Sequence, residues 1–370
     1  MAFALLLQWV QTTRARAEDH FDTRYTYYGE DNGRIQVHTA AALFEKLLTQ
    51  SLIARGEFVY DGISGASPNG APPLDPNHPN QVTLLPMKDT RYAGNFALDW
   101  HLGVHTLSPQ VSYSSESDYE SLGIALNDAI ELNEKNTTLR LGVALSFDEV
   151  QPSFFPEARD KDSSDFLVGV SQLLSPKTIF TADFTFGTAY GYLDDPYKVI
   201  QYEGWLPSVQ SFAEKRPSYR TREVLLLTLT HHFDSLNGSA EVSYRFHHDS
   251  FDIFSHTVGL TWHQRIGKFL IVEPLVRFYE QSAASFYRLS VPGLTPDDED
   301  PARPNYYSAD YRLSNLYTLT YGVQASVIIT DKLHLDVGYQ RYVMEGLDDK
   351  TLASAYPKAH IVNAGLRLWF

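Results

Sequence analysis

The sequence predicts an all-β fold, a transmembrane antiparallel β-barrel of about 16 strands with short turns at one end and long loops at the other. Three observations lead to this fold class. Short segments that alternate apolar and polar residues follow one another from residue 34 to the end of the chain. The connections between these segments alternate between short and long, and aromatic residues gather near both ends of the segments.

The composition excludes several other classes of protein. The chain has 370 residues, a formal net charge of −15 and no cysteine. This acidic balance argues against non-specific nucleic-acid binding, which needs basic groups to displace counterions from phosphates. Without cysteine there are no disulfides, thiolate metal sites, c-type haem attachments or iron–sulfur clusters. An apolar run of about 18 residues is also missing, so a membrane-spanning helix is not expected.

The first residues resemble a secretory signal peptide. Residues 2–10 are apolar, and residues 15–17 supply an A-x-A cleavage pattern. We therefore expect residues 1–17 to be a signal peptide, which leaves residues 18–370 as a single outer-membrane barrel domain. An N-terminal amphipathic helix is the alternative interpretation.

Residues 139–147 show the pattern of each predicted strand. The odd-numbered residues are apolar and the even-numbered ones are small or polar. Successive side chains of a strand lie on opposite faces, so one face of this strand suits lipid and the other a polar interior. The predicted strands cover residues 18–28, 34–45, 51–62, 89–101, 105–116, 118–132, 136–148, 164–174, 177–189, 219–234, 238–249, 251–266, 270–283, 314–329, 332–345 and 358–370.

Loop lengths and aromatic positions give the barrel its orientation. The long connections, at 63–88, 149–163, 190–218, 284–313 and 346–357, all follow odd-numbered predicted strands, and the connections after even-numbered strands are short. In outer-membrane barrels the tight turns face the periplasm and the long loops the outside. Aromatic residues at both ends of the apolar faces match the two membrane interfaces. A soluble β-sandwich, the alternative, requires neither feature.

The last strand carries a candidate assembly signal. Gly365, the apolar Leu368 and the terminal Phe370 resemble the C-terminal signal of outer-membrane barrels. That resemblance implies recognition by the barrel-assembly machinery through strand pairing at an edge.

Charged residues on the polar faces define the candidate lumen. A charge that faces lipid at mid-membrane costs about 2–4 kcal/mol, so these side chains are expected to face the interior. The pore-lining candidates are Arg55, Glu57, Asp99, Arg140, Asp183, Glu241, Arg245, Arg265, Glu273, Arg277, Asp336 and Arg367. Two interpretations stay open: an aqueous channel whose charged walls filter solutes, or a lumen filled by cross-strand ion pairs.

Two loops have compositions of interest. Residues 61–73 are rich in turn formers and include the motif residues Asp61, Ser64, Gly65, Ser67 and Pro68. This loop is either a surface loop or a constriction folded into the barrel. Residues 297–300 are four acids, which are either a solvated run or oxygen ligands for Ca²⁺.

No catalytic motif is present. The chain lacks a G-x-S-x-G elbow, a phosphate-binding loop, a G-x-G-x-x-G turn and an H-E-x-x-H pair. We therefore expect no enzymatic activity, no catalytic residues, no cofactor and no metal site.

At two levels the chain resembles a known family. Its architecture and C-terminus resemble Gram-negative outer-membrane porin-type β-barrels. More narrowly, the Tyr-rich residues 24–31 with residues 34–37, followed by Asp61–Pro68, resemble an uncharacterised family of bacterial outer-membrane proteins with a D-x-[IV]-S-G-A-S-P motif. Members of that family accompany extracytoplasmic redox proteins, so the resemblance implies a periplasmic or extracellular redox protein as a partner.

The expected function is a porin-like channel in the cell outer membrane for passive passage of small polar solutes or ions. The alternative is a non-conducting barrel that serves as a scaffold or sheath for an electron-transfer or export partner. The expected surroundings are outer-membrane lipid and lipopolysaccharide, and nucleic acid is not an expected ligand. The oligomeric state is left open.

Overall fold

Sixteen β-strands form a closed antiparallel barrel in the computed structural model of the protein, which confirms the predicted fold class. The structure describes residues 19–71, 73, 77–152, 155–202, 211–292 and 303–370. The expected signal peptide at 1–17 and the acidic residues 297–300 lie outside the described residues. No helix in the described part of the chain has the length and hydrophobicity that crossing a membrane requires.

Each barrel strand pairs with its neighbours in chain order, and the first strand (His20–Glu30) pairs with the last (Lys358–Trp369) to close the ring. The barrel strands are β1 (His20–Glu30), β2 (Gln36–Thr49), β3 (Leu52–Pro68), β4 (Leu84–Leu102), β5 (His105–Ser115), β6 (Tyr119–Leu132), β7 (Thr137–Val150), β8 (Arg159–Ser175), β9 (Thr178–Gly191), β12 (Tyr219–Phe233), β13 (Gly238–Asp249), β14 (Phe254–Ile266), β15 (Leu270–Gln281), β17 (Leu316–Thr330), β18 (Leu333–Gly346) and β19 (Lys358–Trp369).

Strand β7 shows which face of the barrel is lipid-facing. Leu141 and Phe147 are 41% and 49% exposed, whereas Arg140 is 7% and Ser146 1% exposed. Because exposed apolar and buried polar residues alternate, the apolar face points outward and the polar face inward. An outer surface of this kind is stable in a bilayer, where a closed barrel also leaves no unpaired strand edge.

The two ends of the barrel differ as the loop lengths predicted. Short turns join the strands at one end, and several use a positive φ, as Asn237 (φ 47°) and Gly267 (φ 59°) do. The longer connections lie at the other end. Within them, β10 (Val199–Tyr202) and β11 (Ser211–Ala213) from one connection and β16 (Ser290–Val291) from another form a three-stranded sheet that the sequence did not predict.

The described parts of the long connections after β3, β9, β15 and β18 are bonded to one another and are called the loop layer. The Val199 amide donates to the Asn69 carbonyl at 2.8 Å, and Lys215 and Tyr307 form a two-way backbone bridge. The Arg34 guanidinium donates to the Ser354 carbonyl at 3.0 Å. Since β3 and β9 are six strands apart in the ring, the first of these bonds lies across the mouth of the barrel.

The buried apolar residues of the chain lie mostly in and under this layer. Three clusters hold most of those among the described residues: Phe251, Ile253, Ala284, Phe286 and Leu313; Ile200, Tyr202, Val291 and Ala309; and Tyr311, Leu316, Ala355 and Tyr356. A wide barrel has no apolar core in its lumen, so the connections form a core of their own. That core stabilises the loop layer as a packed structure at one end of the barrel.

Candidate functional site

Alternation along the strands places all twelve pore-lining candidates on the inward face. On β3, for example, Phe58 and Tyr60 are exposed outward, so Arg55, Glu57 and Asp61 face inward. On β13, the exposed Val242 faces outward and Glu241 and Arg245 face inward. The candidates then divide into groups that are paired with each other and groups that are not.

Most of the paired candidates neutralise each other between strands. The Arg140 guanidinium lies 2.5 Å from the Asp183 carboxylate, and Arg367 lies 2.7 Å from Asp336. Arg55 pairs with Asp99, and the Glu273 carboxylate lies 2.7 Å from the Nδ1 atom of His263. These side chains stiffen the inner wall and leave little net charge along it.

Glycines make room for the longer of these pairs. Arg140 on β7 reaches Asp183 on β9 across Gly169 of β8, where an added Cβ would collide with the Asp183 carboxylate. In the same way, Arg222 on β12 reaches Asp165 on β8 at 3.1 Å across Gly187 of β9. The pairs therefore depend on stagger between strands as well as on residue type.

Arg245 and Arg277 stand apart from this pattern. Both are exposed on the inward face, and neither has an ion pair or hydrogen bond to any described residue. They also interact electrostatically with each other. Glu57, Glu241 and Arg265 are likewise without an ion pair among the described residues. Glu57 lies on β3, and Glu241 and Arg265 lie on β13 and β14, nearer to the short-turn end of the barrel than Arg245 and Arg277.

Two tyrosines complete the surroundings of these arginines. Arg245 on β13, Thr257 on β14 and Tyr279 on β15 are paired in one row across three neighbouring strands. Arg277 on β15, Thr320 on β17 and Tyr342 on β18 are paired in a second row. We call Arg245, Arg277, Tyr279 and Tyr342 the arginine–tyrosine patch. Sequence reasoning missed the tyrosines. Their signal was an aromatic ring with a hydroxyl at an inward position of a strand whose other aromatic residues face lipid.

A second charged cluster lies inside the loop layer. Arg216 lies 2.6 Å from Glu214 and 2.9 Å from Asp310, and Arg312 lies 2.6 Å from Asp310. Lys198 donates to the Pro68 carbonyl. Burial raises the pKa of the Glu214 carboxyl to about 7, in opposition to Arg216. The pKa of Asp310 is lowered in spite of its burial, because Arg312, Lys198 and Arg216 surround it.

The structure corrects the predicted loop at 61–73. Strand β3 continues to Pro68 and pairs with β4 throughout, so Asp61, Ser64, Gly65, Ser67 and Pro68 are strand residues. Gly65 adopts a φ of 125° beside the Arg34 carbonyl, which a side chain there would meet. Pro68 is the last residue of the strand, where its missing N–H is tolerated. Asp61 accepts a 2.7 Å hydrogen bond from Arg91, so it belongs to the paired wall.

The residues of the candidate assembly signal lie on both faces of β19. Leu368 and Phe370 are exposed on the outward face, and Gly365 lies opposite Arg24 of β1 and Asp336 of β18. The Phe370 amide donates to the Asp19 carbonyl at 2.9 Å. The signal therefore lies at the seam where the barrel closes.

Sequence reasoning also missed a group of three carboxylates at the long-loop end. One oxygen each of Asp89, Glu116 and Asp118 lie within 4.8 Å of one another. Burial raises the pKa of Glu116, with Asp89 and Asp118 adding to the shift. The Tyr197 hydroxyl donates to Asp118 and so ties this edge of the barrel to the loop layer. Glu116 and Asp118 are two residues apart, but Asp89 lies on β4, and no spacing rule groups it with them.

Comparison with known proteins supports the fold. The model of a family described as "Protein of unknown function (DUF3570)" matches residues 2–159 and 155–356. No curated protein matches the chain by sequence.

The chain is similar to several solved structures. CdiB from Acinetobacter baumannii is 8% identical, with 95% of this chain and 60% of that chain covered and a TM-score of 0.52. A bacterial polysaccharide outer membrane secretin is 8% identical over 96% of this chain and 99% of that chain, with a TM-score of 0.50. The siderophore receptor PirA from Pseudomonas aeruginosa is 11% identical over 96% of this chain, with a TM-score of 0.47, and the chain spans 62% of its length.

At such identities these likenesses concern the fold alone. A closed antiparallel barrel of sixteen strands with an apolar outer surface places the protein in the outer membrane.

Proposed function

The chain belongs to the family described as "Protein of unknown function (DUF3570)", and we propose that it is an outer-membrane channel for passive passage of small polar solutes or ions. The observation that carries this proposal is the exposure of Arg245 and Arg277 on the inward face of the barrel. A guanidinium group without a partner is stable only in contact with water. A barrel of about sixteen strands is wide enough to hold that water.

The two kinds of wall charge would then have different roles. Pairs such as Arg140 and Asp183 hold the wall in shape and add no net charge. The unpaired groups set the local field, which favours or opposes ions that pass. The loop layer narrows the outer mouth, so the solutes are small or the layer moves when they pass.

A non-conducting scaffold is the second candidate, and one observation favours it. The Val199–Asn69 bond joins connections whose strands lie six places apart around the outer mouth. A barrel closed in this way would serve to hold an extracytoplasmic electron-transfer or export partner. Because the chain has no cysteine, that partner would have to supply any c-type haem or iron–sulfur cluster.

Planar-bilayer recording of the purified, refolded protein tests the choice. Discrete, stable conductance steps are the expected result for a channel. Protein from the same preparation unfolded by heat, identified by its shifted mobility on a gel, is the control and should give no steps. A folded barrel that gives no conductance would overturn the channel proposal and leave the scaffold.

A further inference from the structure

We propose that the arginine–tyrosine patch is a binding site for small oxyanions, the carboxylate or phosphate groups of solutes inside the barrel. This inference rests on the proposed channel, since an open lumen gives a solute access to the patch. It goes further by naming the class of solute that the lumen retains.

The pattern of pairing singles out this part of the wall. Nearby, Arg220 bonds to Asp249 and Arg222 to Asp165, so those two guanidinium groups already have a counter-charge. Arg245 and Arg277 have none among the described residues, although each lies within electrostatic range of another arginine. Like charges held close together repel each other, and an anion between them removes that repulsion. In an acidic protein such a local positive field is a departure from the average charge.

The neighbouring residues leave the two arginine head groups clear. Gly259 lies directly opposite Arg277, and Thr257 directly opposite Arg245, on the strand that separates them. Neither residue is long enough to reach across a guanidinium group. The hydroxyl of Thr320, opposite Arg277 on β17, is buried and has no partner within the described residues. It adds one more polar group beside the arginines.

The geometry of arginine determines the class of anion. A guanidinium group presents a planar fork of N–H donors that matches two oxygens of a carboxylate or phosphate. The Tyr342 hydroxyl can add a hydrogen bond to the same oxygens, whereas the Tyr279 hydroxyl donates to the Gln281 side chain at 2.6 Å and borders the site without donating to the anion. A halide offers one atom and uses this arrangement poorly. The patch therefore favours oxyanions over chloride.

Isothermal titration calorimetry of the refolded protein in detergent micelles tests the site without any need for conductance. The probes are inorganic phosphate and succinate, titrated separately at constant ionic strength. Binding of phosphate, succinate or both is expected for the wild type, and the stronger ligand tells which group the site prefers. In the double variant Arg245→Gln and Arg277→Gln the affinity should fall by about tenfold or more, as expected for loss of charged hydrogen bonds.

Two further variants separate the site from general charge and from misfolding. Arg24→Gln removes the same charge from an exposed inward arginine on β1, four strands from Arg277 and six from Arg245 around the ring, and should keep the wild-type affinity. Arg245→Lys with Arg277→Lys keeps the charge but loses the fork, so its affinity should lie between the wild type and the double glutamine variant. Each variant must show the heat-modifiable mobility of a folded barrel.

The outcomes distinguish this site from the channel proposal. Equal binding by the wild type and the double glutamine variant, or no binding by the wild type, would overturn the site and leave the channel proposal untouched. Binding that depends on the two arginines, in a protein that conducts nothing, would support the site and overturn the channel.

Discussion

The backbone amide of Val199 donates a 2.8 Å hydrogen bond to the carbonyl oxygen of Asn69, although the strands that lead to these two residues lie six places apart in the barrel. A barrel of sixteen strands is wide, so a backbone hydrogen bond between such distant strands requires both connections to extend over its mouth. The bond makes the loop layer a crosspiece over the mouth of the barrel.

Gly70→Ala should loosen this crosspiece. Gly70 has a φ of 91°, and an added Cβ would collide with the Val199 carbonyl. The strain of about 1–2 kcal/mol that a side chain has at positive φ adds to that collision. We expect faster proteolysis in the loops and a larger open probability in bilayers.

Gly33→Ala is the matched control for that variant. Gly33 also has a positive φ, of 66°, but an added Cβ has nothing within 4 Å. If the two alanine variants behave alike, backbone strain alone explains the effect and the contact with Val199 has no role.

A disulfide between the connections should lock the layer. Lys215 and Tyr307 form an antiparallel bridge with hydrogen bonds in both directions, which places their Cα atoms about 5.5 Å apart. That separation suits a disulfide, and the native chain has no cysteine to interfere. The double variant Lys215→Cys and Tyr307→Cys should lose conductance on oxidation and regain it with dithiothreitol. The conductance of each single cysteine variant should not change on oxidation. If the conductance of the double variant does not change either, this part of the loop layer does not control conductance.

The loop layer should be more stable in mild acid than in mild alkali. Burial raises the pKa of Glu214 to about 7, above its ordinary value of 4.5. Because its pKa is raised, Glu214 contributes to the stability of the folded loop layer fully below pH 4.5, and this contribution is lost as the pH rises through 7. The lowered pKa of Asp310 acts in the opposite direction, but only in strong acid.

Hydrogen-exchange mass spectrometry, corrected for the intrinsic exchange rate, measures this effect. Protection of the loop layer should be greater at about pH 5.5 than at about pH 8. Glu214→Gln should flatten this dependence, whereas Glu157→Gln, at an exposed carboxylate in the connection after β7, should preserve it. The same slope in both variants would contradict the assignment to Glu214.

Arg140→Ala should destabilise the barrel itself. Arg140 is 7% exposed and bonds to Asp183 at 2.5 Å and to Ser171 at 2.6 Å. Its removal leaves a carboxylate without a partner on a crowded wall, at an expected cost of about 3–5 kcal/mol in urea unfolding. Arg265→Ala removes an exposed arginine without a described partner and should change stability by less than about 0.5 kcal/mol. Equal losses would show that the Arg140 pair is not structural.

The sequence predicts the strands and their faces well, because side chains that face lipid are apolar and those that face the interior are polar or small, so the residue types alternate along each strand. Residues 139–147 are an example: every side chain has the orientation that its polarity requires. The predicted third strand ends at residue 62, because the Gly, Ser and Pro residues that follow are typical of a loop and give no sign that β3 continues to Pro68. Those residues remain extended because β4 pairs with them, and such long-range pairing leaves no local signal.

The site is harder to predict than the fold because it depends on the stagger between strands. Arg140 and Arg245 look alike as inward arginines in the sequence. The first meets Asp183 across a glycine, whereas the second meets no carboxylate among the described residues. The strand register is needed to tell which arginine is paired with a carboxylate and which is not.

The pairing of β1 with β19 has a consequence for how the molecule forms. Every other barrel pair joins consecutive barrel strands, whereas this seam brings His20 opposite Trp369, near the two ends of the described chain. Hairpins form fast and locally, but a joint of such sequence separation forms late and slowly. Until it forms, two strand edges stay available to other chains. Slow pairing of β1 with β19 within one chain therefore competes with pairing of the same two edges with other chains, which leads to aggregation.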